Sequence, residues 1–146
     1  PLSSTGGPPG PAAAGVSSLN PAHAKNNDQS IVLRLRHGRF SALFMADAEE
    51  AVERRLVAAG QVGPVDLLKA GHHGSRTSTI PEFAAAVRPK VAVISCGHRN
   101  RYGHPHPTVV DRLEKLGTRI FRTDRQGAVL VESDGETYTI QTARRR

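Results

Sequence analysis

Apolar and polar residues alternate between strand-like and helix-like patterns from Asn26 onwards. Residues 31–36 and 40–45 are rich in apolar and β-branched side chains, and the turn His37-Gly38-Arg39 separates them, which predicts a β-hairpin. Residues 48–59 carry apolar side chains at helical spacing and end at a glycine, which predicts a helix.

The rest of the chain continues this alternation with shorter elements. Strands are predicted at 65–69, 90–95, 118–121, 128–132 and 137–141. Helices are predicted at 82–87 and 108–116. The pattern indicates an α/β chain in which polar clusters follow strands. Loops at strand ends are where α/β scaffolds usually place their chemistry.

The first part of the chain differs in composition from the rest. Residues 1–21 hold five Pro and four Gly among Ser and Ala, and such a segment cannot bury enough apolar surface to offset its ordering entropy. We expect a flexible linker or loop over residues 1–25 and a domain over 26–146. Because the first residue is Pro1 rather than Met, we also expect the chain to be the C-terminal piece of a longer protein.

Composition excludes several classes of protein. The 146 residues contain one cysteine, Cys96, which excludes an internal disulfide scaffold. We interpret Cys96 as a core residue rather than a nucleophile. No apolar run approaches the roughly 18 residues of a membrane span. The net charge is +7, and the last three residues, all arginine, contribute three of these charges, so attraction to phosphate is permitted rather than indicated.

Two histidine- or carboxylate-containing segments follow predicted strands. Asp47 is either a helix N-cap or a metal ligand, since its two oxygens can serve two cations. His72-His73-Gly74-Ser75 is either a surface pair beside a turn or a loop that divides its histidines between a metal and a substrate oxygen. Glu49, Glu50 and Glu53 are interpreted as favourable charges in the first turns of a helix.

A third polar segment follows the strand at 90–95. His104 lies between Gly103 and Pro105, which limits its orientations and suits a catalytic or phosphate-contacting role, or simply a rigid surface turn. Asn100 and Arg101 belong to a donor-rich stretch that could hold a phosphodiester backbone, or form an ordinary solvated loop.

Taken in order, these segments resemble the metallo-β-lactamase-like domain of the ComEC/Rec2 competence family. The resemblance covers most of the chain, from about Asn26 to Gln141. Each motif alone is weakly specific, whereas the ordered set is specific. The matching segments are Asn26–Leu35, Phe44–Glu49 with Glu53, Val65–Ser75 with Thr77-Ser78, Pro89–Ser95, Asn100–Pro105 and Thr123–Val129.

The resemblance implies the fold and the general function. It implies the C-terminal half of an αββα metallo-β-lactamase sandwich, with a mixed sheet and flanking helices. It also implies part of a metal-dependent phosphodiesterase or nuclease-like hydrolase in a DNA-uptake protein, with DNA as partner. The domain would be extracytoplasmic on a bacterial membrane protein that is anchored through upstream segments.

The resemblance also implies roles for single residues. Asp47 would bridge two divalent metal ions, Zn or Mn, and His73 would be a further ligand. His72 and His104 would be the catalytic residues that face the scissile phosphate. Ser75 would support the loop and, like Asn100 and Arg101, would bind the substrate.

Two departures from the family pattern affect these expectations. The family usually has Gly-Asp where this chain has Ala46-Asp47. The H-x-H-x-D-H motif, which carries most of the metal ligands in the family, is absent from the 146 residues, and we expect it upstream. One carboxylate and one or two histidines cannot hold a two-metal centre tightly, so we expect this chain alone to be nearly inactive.

Two alternatives remain open at this point. The chain could belong to a soluble, cytoplasmic hydrolase of the same superfamily that acts on a small substrate, and the presence of upstream membrane helices discriminates between the two. It could also be a domain that binds DNA without cutting it, for which salt-sensitive and metal-independent binding is the signature. The sequence leaves the metal, the DNA polarity and the oligomeric state undetermined.

Overall fold

The computed structural model describes residues 15–18 and 26–144. These residues form a six-stranded mixed sheet with flanking helices and a two-stranded hairpin. The strands are β1 (Gly15–Ser18), β2 (Leu33–His37), β3 (Phe40–Phe44), β4 (Leu67–Lys69), β5 (Val91–Ile94), β6 (Arg119–Arg122), β7 (Val129–Ser133) and β8 (Tyr138–Thr142). The helices are α1 (Glu50–Ala58), α2 (Pro81–Val87), α3 (Pro107–Lys115) and α4 (Thr123–Gln126).

The order of the strands in the sheet follows the chain. β1, β2 and β3 pair antiparallel, with His37 opposite Phe40 across the predicted hairpin turn. β3, β4, β5 and β6 pair parallel. The carboxyl ends of these four strands therefore lie at one edge of the sheet, and the loops that follow them meet there.

One face of the sheet is covered by α1, α2 and α3. Their apolar stripes pack on the inward side chains of the strands, and this burial is the main stabilising contribution to the fold. The core includes residues that are almost completely removed from water: Leu43, Met45, Val52, Leu56, Leu68, Phe83, Val87, Ile94, Val109 and Leu113.

The opposite face is covered differently. The β7–β8 hairpin packs there against a smaller cluster that contains Phe40, Leu67, Val91 and Phe121. A groove of about 320 Å³ remains between hairpin and sheet, with a mostly apolar lining that includes Phe44, which is 38% exposed. This face is therefore only partly covered by the described residues.

The predicted α/β class, with a mixed sheet and flanking helices, is confirmed. The strands and helices expected from residue 31 onwards are present, with ends that differ by at most two residues, as is usual for element boundaries. The pattern missed β1 and the short helix α4. The predicted linker, residues 1–25, lies outside the described residues except for 15–18, which form β1. No helix in residues 15–18 and 26–144 combines the length and hydropathy needed to cross a membrane.

Candidate functional site

Four loops meet at the carboxyl edge of the parallel strands. Asp47 follows β3, His72 and His73 follow β4, His104 follows β5, and Asp124 follows β6. The fold thus brings together the four metal and catalytic residues expected from the sequence, although they are distributed over almost 60 positions of the chain.

Asp47 and His73 face each other. His73 Nε2 lies 3.4 Å from Asp47 Oδ1, and both side chains are about half exposed. His73 Nδ1 lies 2.7 Å from the carbonyl oxygen of Ser95, which can only accept, so Nδ1 donates, and Nε2 is the nitrogen that a neutral ring leaves unprotonated. A proton on Nε2 or a metal cation can therefore lie between these two atoms.

Asp47 is not an N-cap. Helix α1 begins at Glu50, with Glu49 as its N-cap residue. Asp47 instead lies in the turn before it, after Ala46, whose φ is +46°. The N-cap alternative is therefore wrong, because the extra turn between β3 and α1 leaves the carboxylate free to face His73.

The backbone of the histidine loop is strained. His72 and His73 have φ values of 41° and 56°, a region that non-glycine residues rarely adopt. The His72 N–H donates to the carbonyl oxygen of Ala46 over 2.9 Å, which joins this loop to the Asp47 turn. Gly74 also has a positive φ, and a Cβ there would lie 2.7 Å from Cβ of Pro105. Only glycine allows the His104 loop to approach this closely.

His72 is held by Glu49, which sequence reasoning assigned to helix electrostatics. His72 Nδ1 lies 2.5 Å from Glu49 Oε1, and Thr77 Oγ1 donates to the same oxygen over 2.9 Å. Burial would raise the pKa of Glu49, but hydrogen bonds from Thr77, His72 and Asn27 outweigh it and lower the pKa. Nothing in the sequence distinguishes a glutamate that holds a histidine from one that is only a surface charge at the start of a helix.

Ser75 is buried next to the contact between Glu49 and His72 rather than exposed at the surface. The side chain is buried, and its hydroxyl is 2.9 Å from Thr77 Oγ1. Ser78 Oγ donates to the carbonyl oxygens of Gly71 and Ser75. Ser75 therefore supports the loop, and its expected contact with substrate stays a prediction.

His104 packs against His72. Their ring centroids are 5.7 Å apart in an edge-on arrangement, and the exposed Tyr102 stacks on the other side at 5.9 Å. Burial, followed by the neighbouring His72, His73 and His106, lowers the pKa of His104. Its Nδ1 is buried and has no hydrogen-bond partner among the described residues. A buried imidazole nitrogen without a partner is uncommon in folded proteins and marks this loop for attention.

Asn100 and Arg101 differ in their surroundings. The Asn100 amide bonds to Gly97 O and to the backbone oxygen and nitrogen of His104, so it shapes the loop. Arg101 is exposed and is available to an anion. Of the three residues predicted to contact substrate, Asn100 supports the His104 loop and Arg101 lies at the surface beside it, while Ser75 lies in the histidine loop.

Cys96 lies at the start of the same loop, just after β5, and is partly buried. Burial and the Asp124 carboxylate, to which its thiol donates, raise the pKa of Cys96 to about 11. A thiol with so high a pKa is a poor nucleophile at neutral pH, in agreement with the sequence interpretation.

The described residues contain part of a metal donor set. A carboxylate and an unprotonated imidazole are suitable ligands for zinc-like cations, and Asp47 and His73 are placed to share one. Within residues 15–18 and 26–144 no three His, Cys, Asp or Glu side chains form a group that could hold a metal ion. These two residues therefore fit a cation only together with ligands from outside the described residues.

Sequence comparison identifies relatives over most of the chain. The chain is 38% identical to ComE operon protein 3 of Bacillus subtilis over 75% of its length, and 36% identical to Recombination protein 2 of Haemophilus influenzae over 88%. It is 38% identical to competence protein ComA of Neisseria gonorrhoeae over 76%. The chain belongs to the ComEC/Rec2 competence family.

This membership confirms the resemblance drawn from the ordered motifs. No protein-family model matches the chain. The chain spans 14% to 17% of the lengths of these three ComEC/Rec2 relatives, so it corresponds to a small part of each.

Proposed function

We propose that this chain is part of a metal-dependent phosphodiesterase or nuclease-like domain of a DNA-uptake protein. The observation that carries the proposal is the pair Asp47 and His73, whose facing donor atoms lie 3.4 Å apart at the carboxyl edge of the sheet. The name of one relative, "Competence protein ComA", supports a role in competence.

Two further features support a hydrolytic site. His72 and His104 adjoin the Asp47–His73 pair, since the His72 ring centroid lies 6.1 Å from that of His73 and 5.7 Å from that of His104. An active site needs groups that exchange protons or hydrogen bonds with the substrate beside the groups that hold charge.

Asp47 and His73 would hold the divalent cation, Zn or Mn, and a second cation would share Asp47. Such cations supply a water of lowered pKa and stabilise the charge that develops on the phosphate. His104, whose lowered pKa favours the neutral ring, donates one N–H to a phosphate oxygen. Arg101 pairs with a neighbouring phosphate of the strand.

The proposed architecture is a metallo-β-lactamase αββα sandwich, of which this sheet is one layer. The apolar groove on the hairpin side of the sheet supports it, because a second sheet would cover that surface. In this proposal the remaining ligands come from the other layer, and the domain lies outside the cytoplasm on a membrane protein.

Hydrolysis of a fluorescent DNA oligonucleotide tests the proposal. We expect Mn²⁺- or Zn²⁺-dependent cleavage by a longer family protein that includes this chain and its upstream region. Asp47→Asn and His73→Gln should each lower the rate about 100-fold or more, while Glu50→Gln, on the exposed side of α1, should not.

Two results would count against this proposal. Rapid cleavage by the 146-residue chain alone would contradict the expectation that ligands outside the described residues are needed. Salt-sensitive DNA binding by the longer protein, without cleavage at any cation concentration, would favour the alternative of a binding domain.

A further inference from the structure

Glu49 occupies the N-cap position of α1 but does not cap the helix. Its side chain makes no hydrogen bond to the first backbone N–H groups of α1. Oε1 receives the bonds from His72 Nδ1 and Thr77 Oγ1 instead. A carboxylate at this position ordinarily serves the helix, so its use on a neighbouring loop needs another explanation.

The carboxylate of Glu49 is fixed from two sides. Thr77, which donates to it, also accepts the backbone N–H of Glu50 over 2.8 Å and pairs with the Ser75 hydroxyl. The loop after β4 and the start of α1 are thereby joined around one oxygen atom. With 30% of its side chain exposed, Glu49 keeps little freedom to adopt another rotamer.

This contact determines which nitrogen of His72 carries the proton. Glu49 Oε1 also accepts from Thr77, so His72 Nδ1 is the donor in this contact, and the lone pair of a neutral ring then lies on Nε2. That Nε2 has no hydrogen-bond partner within residues 15–18 and 26–144. An unprotonated nitrogen cannot donate to a phosphate oxygen, so His72 and His104 have different tasks.

We propose that Glu49 is a positioning residue that holds His72 in the Nδ1–H tautomer. His72 Nε2 then accepts a hydrogen bond from the water that attacks the phosphorus, while His104 donates to the phosphate. The task of His72 rests on the function proposed above; the tautomer does not. The arrangement follows the general use of a carboxylate to orient an imidazole through its second nitrogen.

Nitrogen NMR of the 146-residue chain, labelled with ¹⁵N-histidine and free of metal and DNA, tests the tautomer. At pH 8 the long-range ¹H–¹⁵N spectrum should show His72 with a protonated Nδ1 and an unprotonated Nε2. Glu49→Ala should convert His72 to the Nε2–H form. Glu49→Gln should retain Nδ1–H, because its amide oxygen still accepts. Glu50→Ala is the matched control and should change nothing.

A folding control and a second variant accompany the NMR experiment. A methyl spectrum of the core leucines and valines shows whether each variant is folded. If Glu49→Ala does not fold, Thr77→Val removes one support of the carboxylate and should give a mixture of the two tautomers. An Nε2–H form in the unaltered chain, or unchanged His72 signals in a folded Glu49→Ala variant, overturns the inference.

Kinetics in the longer protein test the consequence for the reaction. Glu49→Ala should lower kcat about 10- to 100-fold with KM within about twofold, and Glu49→Gln should restore most of the rate. An equal loss in Glu50→Ala, or an effect on KM alone, contradicts the positioning role. If the unaltered protein cleaves no DNA, the proposed function fails, and the NMR result still decides the tautomer.

Discussion

Glu49 and Glu53 are one helical turn apart but lie in opposite environments. Glu49 is 30% exposed and receives hydrogen bonds from side chains of the histidine loop. Glu53 is completely buried and accepts the backbone N–H groups of Thr79 and Ile80 over 2.6 and 2.8 Å. The pKa of Glu49 is lowered, because hydrogen bonds outweigh burial, whereas burial raises the pKa of Glu53 to about 7 despite its two bonds.

The difference separates a region that serves the site from a region that holds the fold. Glu53 fixes the turn before α2, where Thr79 has a φ of 53°, and Arg112 of α3 donates to the carbonyl oxygen of Thr79. Three helices thus meet at one buried polar network. The region around Glu49 joins loops instead, and its partners are partly open to solvent. Stability and chemistry should therefore respond to different substitutions.

Glu53→Ala should have the largest effect on stability. It leaves the buried backbone N–H groups of Thr79 and Ile80 without an acceptor. We expect the free energy of unfolding to fall by about 3–5 kcal/mol. Urea unfolding at pH 6 measures this, with exposed Glu50→Ala as the control, expected within about 0.5 kcal/mol. Equal losses in both variants would remove the distinction between the two regions.

The stability of the chain should fall as the pH rises from 4.5 to about 7. The pKa of Glu53 is raised from 4.5 to about 7 in the folded state, so the folded protein binds this proton more tightly than the unfolded chain. This proton contributes on the order of 3 kcal/mol to the free energy of unfolding. The contribution is fully present below pH 4.5 and is lost as the pH rises to about 7. Arg112 and Glu50 are the charges that also act on it.

Unfolding experiments between pH 4 and 8 measure that slope. Glu53→Gln keeps an acceptor but cannot titrate, and it should remove most of the decrease. A decrease of the same size in the glutamine variant would assign it to other groups, and the raised pKa of Glu53 would then have no consequence for stability.

Substitution of the half-exposed residue His73 should leave the fold intact. His73 is about half exposed and makes its hydrogen bond to a single backbone oxygen, that of Ser95. We expect His73→Ala to change the free energy of unfolding by less than about 1 kcal/mol. A loss comparable with that of Glu53→Ala would mean that the histidine loop is a structural element.

The smallest effect concerns Arg101, which is exposed beside His104. If it contacts a phosphate, Arg101→Ala should weaken DNA binding about fivefold, irrespective of sequence, and reduce the salt slope by about one. Fluorescence anisotropy at several salt concentrations measures both. Arg55→Ala, on the exposed side of α1, is the control, and equal weakening in the two variants would indicate only a general charge effect.

Sequence patterns predicted the elements well because their periodicity is local. The hairpin at Gly38, the strands and the helices all follow from short-range spacing of apolar residues. β1 was missed because its four residues lie in a Pro/Gly-rich segment, and it exists through pairing with β2. The loop residues Asp47, His73 and His104 were found because polar residues after buried strands are conspicuous in a sequence.

By itself, the sequence determined the α/β class, the order of the elements, the family and the residues with suitable chemistry. Only the tertiary structure decided that Glu49 binds His72, 23 positions away, and that Glu53 binds the turn 26 positions away. Both glutamates satisfy the same helical pattern, since periodicity records which face a residue is on but not what lies opposite. The partner is set by the packing of separate elements, and with it the charge and reactivity of each carboxylate.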